Sequence, residues 1–488
     1  MLQLDRKDLI VTHAWIDNGR VSSTDAGSFR VDNPANGSLI AEVADCGAPE
    51  ARAATDAAFR AFACWRKLLA RERAAHLQAW LALVRKNQED LARLISLEQG
   101  KPLVESRGEV AYGAAYIEWF AEEAKRTYGN VIPETAPGRK IIVTKEPVGV
   151  AAAITPWNFP IAMLARKIAP ALAAGCTIVA KPAEDTPLSA LALALLATEA
   201  GVPAGVINVV PASRGRAASV VDAWLEDERV RKLSFTGSTA VGKHLAQASA
   251  PTLKRLSLEL GGNAPFVVFD DADLDQAVKG MIAAKFRNAG QTCICANRIY
   301  VADAIYDDFA ERAVEAVSKL RVGAAGESDA EIGPLINAKG LEKVERHVAN
   351  AIERGARVLV GGKRHALGRY FYEPTVLADV DSTMSLSCEE TFGPVAPLFR
   401  FSTEEEAIMA ANSTPFGLAS YFYSCDIARV MRVAAALESG MIGINEAAIS
   451  TEVAPFGGVK DSGYGREGSP YGIDEYLQTK YLCLGGLS

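Results

Sequence analysis

Histidine is scarce in this sequence, and tracts of like charge and long apolar runs are absent. Only five of the 488 residues are His, and none belongs to a His-x-x-x-His or Cys/His cluster, so we expect no metal site. The 52 Lys and Arg residues against 59 Asp and Glu give a net charge of −7 without a basic tract, which predicts neither nucleic acid nor a membrane as a partner. The most apolar stretches, such as Ala190 to Ala197, are too short to span a bilayer.

The sequence also lacks the cysteine framework and the leader expected of a secreted protein. Its eight cysteines are scattered, and only Cys293 and Cys295 lie close together, a pattern typical of free thiols in a reducing compartment. The first residues, Met1 to Lys7, mix both charge signs and contain no apolar signal-peptide core. We therefore expect a cytoplasmic protein.

Strand and helix patterns alternate regularly, over a length that one hydrophobic core rarely supports. Short apolar strands are predicted at Val148 to Ile154, Cys176 to Ala180 and Val230 to Phe235, with helices between them. This alternation favours a doubly wound, mostly parallel α/β sheet. The pattern restarts near Gly261-Gly262, where a second α/β unit begins and runs to about Gly440.

Two strand-like pieces belong to neither unit. They are Ala136 to Lys145 and the tail from Tyr471. Pairing between them would form an arm, and exposed strands of this kind indicate oligomerisation.

Cys293 lies where a helical pattern ends and a strand pattern, Ile294 to Val301, begins. A thiol at such a junction, beside Gly290, is reachable by a substrate, whereas a Cys on a buried face is inert. On position alone, a nucleophile and a small core residue are about equally favoured. A thiol hydrolase with a Cys/His pair is a further alternative, although no His lies in a recognisable partner motif.

Six short motifs, spread over nearly the whole chain, resemble those of the aldehyde dehydrogenase superfamily and occur in the same order. One such match would be weak, but six in order are highly specific. The motifs are TPWNFP at Thr155–Pro160, FTGST at Phe235–Thr239, LELGGN at Leu258–Asn263, GQTC at Gly290–Cys293, EETFGP at Glu389–Pro394 and PFGG at Pro455–Gly458.

The resemblance implies an aldehyde dehydrogenase-like α/β fold with three parts: a Rossmann-type cofactor domain, an α/β catalytic domain and a β oligomerisation arm. We place the NAD(P)-binding domain at residues 1–127 and 148–260, the catalytic domain at 261–453, and the arm at 128–147 and 470–488. A homodimer or homotetramer is implied as well.

Covalent catalysis is implied by the same resemblance. Cys293 attacks the aldehyde carbon, because a thiolate is a strong nucleophile, and the side-chain amide of Asn158 and the backbone N–H of Cys293 stabilise the oxyanion. Oxidation by a nicotinamide leaves a thioester, and Glu259 is the implied base that activates water to hydrolyse it. Because Glu259 stands between Leu258 and Leu260, we expect burial to raise its carboxyl pKa toward the working range of a base.

The implied cofactor is NAD or NADP. The turn from Gly237 to Gly242 lacks the full Gly-x-Gly-x-x-Gly fingerprint, but in the family it sets the pyrophosphate against a helix N-terminus, with Ser238 as a phosphate contact. Glu184 would accept hydrogen bonds from ribose hydroxyls and repel a 2′-phosphate, so we expect NAD over NADP. The implied cofactor residues are Trp157, Lys181, Glu184, Gly237, Ser238, Leu260, Glu390 and Phe392.

Within the superfamily, three segments resemble those of succinate-semialdehyde dehydrogenases: Ile449 to Lys460, Gly463 to Gly468 and Lys480 to Cys483. This resemblance implies a small semialdehyde substrate with a distal carboxylate, for which the planar fork of arginine is suited. The implied carboxylate ligands are Arg166, Arg287 and Ser450.

Departures from that subfamily leave the substrate open. Ile161 and the segment Asn445 to Ala448 differ from the usual residues, and we expect both near the substrate tunnel. Glutarate semialdehyde, sulfolactaldehyde and α-ketoglutarate semialdehyde are therefore alternative substrates. A CoA-acylating semialdehyde dehydrogenase, against which the Glu259 motif argues, and a non-catalytic NAD-binding protein on the same fold are alternative functions.

Cys295 is a candidate redox partner of Cys293, because some relatives carry a Cys-x-Cys pair as a redox switch. If both residues lay on one strand, they would face the same side at about 6.5–7 Å between Cα atoms, near the upper limit for a disulfide. A packed Cys without a role is an equally favoured interpretation.

Overall fold

A computed structural model describes residues 2–486 of the chain. Its strands, in chain order, are β1 (Ala14–Ile16), β2 (Gly19–Val21), β3 (Ser28–Asp32), β4 (Leu39–Ala44), β5 (Asn130–Ile132), β6 (Lys140–Pro147), β7 (Val150–Ile154), β8 (Thr177–Lys181), β9 (Ile207–Val209), β10 (Val230–Thr236), β11 (Arg255–Glu259), β12 (Ala264–Val268), β13 (Ala296–Ala302), β14 (Arg357–Val360), β15 (Thr375–Ala378), β16 (Val395–Phe401), β17 (Phe416–Gly417), β18 (Ala419–Tyr423), β19 (Met441–Ile444), β20 (Val459–Lys460), β21 (Gly463–Tyr464) and β22 (Leu477–Leu484).

The helices alternate with these strands. They are α1 (Ala48–Trp65), α2 (Ala70–Lys86), α3 (Gln88–Gln99), α4 (Leu103–Glu123), α5 (Pro160–Ala174), α6 (Pro187–Glu199), α7 (Ala217–Glu226), α8 (Thr239–Ser249), α9 (Leu274–Phe286), α10 (Tyr306–Ser318), α11 (Ala338–Glu353), α12 (Ser385–Cys388), α13 (Glu404–Asn412), α14 (Ile427–Ala436) and α15 (Ser469–Asp474).

The first sheet has eight strands in the order β2-β1-β9-β8-β7-β10-β11-β21. Its five central strands are β9, β8, β7, β10 and β11, and they run parallel to one another. On one side β1 pairs antiparallel with β9, and on the other side β21 pairs antiparallel with β11. A second sheet of seven strands has the order β14-β15-β16-β13-β12-β18-β19, parallel except for β14. The mostly parallel α/β architecture expected from the sequence is confirmed.

Alternate residues of β7 pack into different cores. Ala151 and Ala153 join one apolar cluster with residues of α4, α5 and α6, whereas Val150 and Ala152 join another with residues of α1 and α7. Successive side chains of a strand point to opposite faces, so helices cover both faces of this sheet. The small side chains of β7 also let α5 approach closely, and every residue of α5 is buried.

A third sheet, in the order β22-β6-β5, contains the two strand-like pieces that the sequence left unassigned. β22 pairs antiparallel with β6 from Leu477 opposite Pro147 to Leu484 opposite Lys140. The predicted pairing is therefore present, whereas its role in oligomerisation stays a prediction, as do the domain boundaries. Of the ranges predicted for these domains, residues 1, 487 and 488 lie outside the described residues.

One sequence expectation near the site is wrong. The strand predicted from Ile294 begins only at Ala296, because Cys293 and Ile294 lie in a turn that Cys295 N closes by donating to Thr292 O at 3.1 Å. Cys293 and Cys295 therefore do not share a strand face. The side chain of Ile161 is fully buried, and its Cγ2 atom lies against Gly113, where an added Cβ would be only 2.8 Å away; its place near the substrate tunnel stays a prediction.

Residues 2–486 contain no helix with the combined length and apolar character needed to cross a bilayer. The same residues contain no group of three or more His, Cys, Asp or Glu side chains placed to hold a metal ion.

Candidate active site

The carboxyl ends of β7, β10 and β11 meet at one edge of the first sheet, the position at which open parallel sheets generally bind ligands. A cleft of about 480 Å³, here called the main cleft, lies there. It is lined by most of the residues proposed from the sequence: Trp157, Asn158, Arg166, Gly237, Ser238, Glu259, Leu260, Arg287, Cys293, Glu390, Phe392 and Ser450.

The loop that carries Cys293 has an unusual backbone. Asn288, Ala289 and Gly290 all adopt positive φ angles of 52°, 54° and 75°, a region that residues with a side chain seldom enter. The loop also fits against a glycine of the LELGGN motif, since a Cβ on Gly262 would lie 2.6 Å from the Cys293 carbonyl oxygen. Gly262 and Cys293 are 31 residues apart in the chain, so two distant motifs meet at one junction.

Cys293 is half-buried. Burial raises the pKa of its thiol to about 12, while the positive charge of Arg166 acts in the opposite direction. A thiol with so high a pKa is protonated at neutral pH, whereas the thiolate is the reactive form. Ionisation therefore needs a proton acceptor, and two carboxylates, Glu259 and Glu390, line the same cleft.

Glu259 ends β11 and is 2% exposed. Burial raises the pKa of its carboxyl group well above the usual range; the charge of Glu467 raises it further, and Arg166 and Lys167 lower it. Neither carboxylate oxygen has a hydrogen-bond partner among the described residues. Burying a carboxylate without a hydrogen-bond partner costs free energy. The unpartnered oxygens of Glu259 are consistent with a base that accepts a proton from water or from a thiol.

Asn158 is held on two sides. Its amide Nδ2 donates to the carbonyl of Gln291 at 3.0 Å, which leaves a second N–H of the same group for a ligand. Its main-chain oxygen accepts from Lys101 Nζ at 2.6 Å and from Asn288 Nδ2 at 3.1 Å. The side-chain amide thus lies in the main cleft, and Lys101 and Asn288 hold the backbone that carries it.

Two guanidinium groups line the main cleft. Arg166 is 1% exposed and forms an ion pair with Glu467, yet the contact is not aligned as a hydrogen bond and no guanidinium nitrogen has such a partner among residues 2–486. Arg287 is exposed, with Cζ 4.9 Å from the centre of the Phe159 ring. Arg166 does not lie on a solvated helix face, because every residue of α5 is buried.

The main cleft also includes residues that could hold a dinucleotide. Ser238 precedes α8 without a side-chain cap on that helix, so backbone N–H groups at its start are available to an anion. Gly237 cannot carry a side chain, because a Cβ would lie 2.5 Å from the Phe235 ring. Burial raises the pKa of Glu390 to about 7, and its carboxylate, beside Phe392, offers acceptors to ribose hydroxyls.

Two proposed cofactor residues do not line the main cleft. Glu184 lines an adjoining pocket of about 310 Å³ that shares Arg214, Ile336 and Asn337 with the cleft. Lys181 is buried, and its Nζ donates to the carbonyl of Pro182 at 3.1 Å. Both stay predictions as ribose ligands.

Cys295, the candidate redox partner, is fully buried, and its Sγ donates to the carbonyl of Lys285 at 3.3 Å. Both it and Cys293 are free thiols. Their pairing as a redox switch stays a prediction.

Five cationic or polar residues that line the main cleft lie outside every motif of the sequence analysis. They are Tyr112, Arg214, Asn337, Lys339 and Lys343. The two lysines are four residues apart on α11, a spacing that puts both on one helix face, but nothing in the local sequence shows that this face meets the cleft.

Comparisons with known proteins agree with this geometry. The model of the aldehyde dehydrogenase family matches residues 21–482. The chain is 57% identical over 487 residues to a 3-sulfolactaldehyde dehydrogenase of Pseudomonas putida, covering 100% of each. It is 56% identical over 482 residues to an NADP(+) succinate-semialdehyde dehydrogenase of Escherichia coli K12, covering 99% of this chain and 98% of the relative. It is 55% identical over 486 residues to a glutarate-semialdehyde dehydrogenase of Pseudomonas aeruginosa, covering 100% of each.

A solved structure shows the same fold. The succinate-semialdehyde dehydrogenase of Burkholderia pseudomallei superposes with a TM-score of 0.98 at 56% identity, covering 99% of this chain and 100% of that one.

Proposed function

The chain belongs to the aldehyde dehydrogenase family, and on that premise we propose that it oxidises a short semialdehyde whose far end is anionic. It is an NAD(P)-dependent enzyme of that family. The semialdehyde class is supported by three relatives of nearly equal identity, 57%, 56% and 55%, each of which acts on a different short aldehyde with an acidic tail.

The proposed chemistry begins at Cys293. Its thiol proton passes to a cleft carboxylate, and Sγ forms a bond to the aldehyde carbon, whose oxygen becomes an oxyanion. The Asn158 amide and the Cys293 backbone N–H donate to that oxygen. When bound, the dinucleotide would supply a hydride acceptor: the C–H bond of the former aldehyde carbon breaks, the hydrogen leaves with both electrons, and the carbon–oxygen double bond forms again to give the Cys293 thioester. Glu259 then takes a proton from water, which adds to the thioester carbon and releases the carboxylic acid and the Cys293 thiolate.

The observation that carries the proposal is the buried Arg166 guanidinium in the main cleft. An arginine that is 1% exposed and lacks hydrogen-bond partners among the described residues fits an anionic ligand, since charge-assisted bonds to carboxylates are the strong ones. Arg287 adds a second cation, and Ser450 adds a hydroxyl in the same cleft. Two cations would also select against neutral aldehydes, which give Arg287 no charged partner.

Succinate semialdehyde is the substrate we propose first, on the resemblance of the segments around Ser450 to those of succinate-semialdehyde dehydrogenases. A steady-state panel tests this, with succinate semialdehyde, glutarate semialdehyde, sulfolactaldehyde and butanal, each with NAD and with NADP. We expect the highest kcat/KM with succinate semialdehyde and the lowest with butanal. A higher value with sulfolactaldehyde or glutarate semialdehyde would replace the substrate, and a preference for butanal would overturn the anionic class.

Arg287→Ala should lower kcat/KM for succinate semialdehyde by about 10- to 100-fold, because a hydrogen bond to a charged group contributes about 1.5–3 kcal/mol. Butanal has the same chain length without the carboxylate, so its kcat/KM should not change. Arg321→Ala, which removes a surface arginine paired with Asp329, serves as the control variant. Equal losses for both aldehydes would show that Arg287 does not bind the tail.

We propose NAD as the preferred cofactor, because the Glu184 carboxylate would repel a 2′-phosphate. Glu184→Ser should raise kcat/KM for NADP by about tenfold, equivalent to about 1.4 kcal/mol of binding, and should lower it for NAD, which loses a ribose acceptor. An unchanged NADP-to-NAD ratio would remove Glu184 from cofactor selection. Arg214, which lines the pocket of Glu184, offers a positive charge to a 2′-phosphate once the carboxylate is gone.

A further inference from the structure

We propose that Lys101 is a positioning residue for the Asn158 amide, and that Glu109 and Asn288 complete its support. The proposal rests on the proposed function, in which Asn158 stabilises the oxyanion. Lys101 lies in the turn between α3 and α4 and is 1% exposed. Its Nζ donates to the main-chain oxygen of Asn158 at 2.6 Å and lies 3.8 Å from the centre of the Phe159 ring.

Glu109 links Lys101 to the start of α5. One carboxylate oxygen, Oε2, accepts from Lys101 Nζ at 2.7 Å. The other, Oε1, accepts from the backbone N–H groups of Ile161 and Ala162 at 2.9 and 3.4 Å. These are free donors at a helix N-terminus, which a carboxylate stabilises. The buried Lys101–Glu109 ion pair thus holds the backbone on both sides of Phe159: Lys101 contacts Asn158, and Glu109 contacts the first turn of α5.

The same support reaches the loop of the nucleophile. Asn288 Nδ2 donates to the Asn158 carbonyl at 3.1 Å, and the backbone N–H of Asn288 donates to Glu105 at 2.9 Å. Glu105 lies on α4, one turn before Glu109. One short stretch of chain, residues 101–109, therefore contacts both the oxyanion segment and the strained loop that ends at Cys293.

Stability alone is a weak reason for this arrangement. Removing two charges from water is costly, so an apolar pair of similar volume is often as stable or more stable. What the ion pair gives is geometry. A displacement of about 1 Å at a reacting centre costs about 10²-fold in rate, and the Lys101 bond fixes the backbone that carries the Asn158 amide.

The test separates positioning from folding. Lys101→Met alone leaves Glu109 as an unpaired buried charge, so we pair it with Glu109→Gln, which keeps an acceptor oxygen for Ile161. The double variant should unfold at nearly the wild-type temperature. Its single-turnover rate of cofactor reduction should still fall by about 10- to 100-fold, with KM for NAD unchanged. Lys232→Met, which removes another buried lysine near a carboxylate, Glu475, should keep the wild-type rate.

A double-mutant cycle with Asn158→Ala tests whether the Lys101/Glu109 change lowers the single-turnover rate through the Asn158 amide. Asn158→Ala should by itself lower the single-turnover rate by about 10²- to 10³-fold. In that background the Lys101/Glu109 double change should add little, because residues that act through one group are not additive. Full activity of the double variant, or losses that multiply, would overturn the positioning role while the proposed function stands. A normal rate for Asn158→Ala would remove the oxyanion role, and with it this proposal.

Discussion

Cys293→Ala should abolish aldehyde oxidation, with kcat lowered by about 10⁴-fold or more, as happens when a covalent nucleophile is removed. Every residue proposed for the chemistry lies around this sulfur: Asn158 and Glu259 line the same cleft, and the loop 288–290 holds Cys293 in place through three left-handed residues. No other thiol lines the main cleft among residues 2–486. The loss should therefore not be rescued by a second cysteine.

Cys425→Ala is the matched control, since Cys425 is an exposed free thiol outside the main cleft. It should have wild-type kcat. Binding of the dinucleotide, measured by calorimetry, should be unchanged in Cys293→Ala, which would show that the cleft is intact. Substantial aldehyde oxidation by Cys293→Ala would contradict covalent catalysis by Cys293. The fold and the proposed cofactor site would not be affected by that result.

Glu259→Gln should separate the two halves of the reaction. We expect the first turnover to give about one equivalent of reduced cofactor per site, followed by a steady state lowered by about 10²- to 10⁴-fold, the usual contribution of a positioned base. The thioester then accumulates, because no group of the cleft takes the proton from water. Hydroxylamine, which is a stronger nucleophile than water, should restore turnover of the variant.

The pH dependence of kcat provides a second readout of Glu259. Burial raises the pKa of its carboxyl group, and only the carboxylate can accept a proton, so kcat should rise with pH through that raised pKa. In Glu259→Gln this rise should disappear. A rise that persists unchanged in the variant would assign the base to another group, and Glu390, whose pKa burial raises to about 7, would be the next candidate.

The sequence could predict those parts of the site that local motifs carry. The strand that precedes Asn158, the turn at Gly237 and the strand that ends at Glu259 are each encoded within a few residues, and parallel strands bring their carboxyl ends to one edge. The family resemblance added the order of the motifs. The sequence therefore predicts Cys293, Glu259 and Asn158 in one site, and all three line the main cleft.

The parts that the sequence could not predict depend on contacts between distant segments. Ile294 was expected in a strand, but the turn closed by Cys295 and the left-handed residues before Cys293 end the pattern early. Lys101 gives no local sign that it reaches Asn158, 57 residues further on. The burial of Arg166 depends likewise on the packing of α5 against α4, α6 and the first sheet rather than on its own helix pattern.

Trapping the thioester on Glu259→Gln is the most direct test of the account. The variant is mixed with succinate semialdehyde and NAD, quenched in acid after one turnover, and digested for mass spectrometry. The account predicts that the peptide containing Cys293 gains one acyl group of the substrate, in an amount equal to the cofactor reduced. Reduced cofactor without any acyl group on Cys293, or an acyl group on another residue, would contradict it.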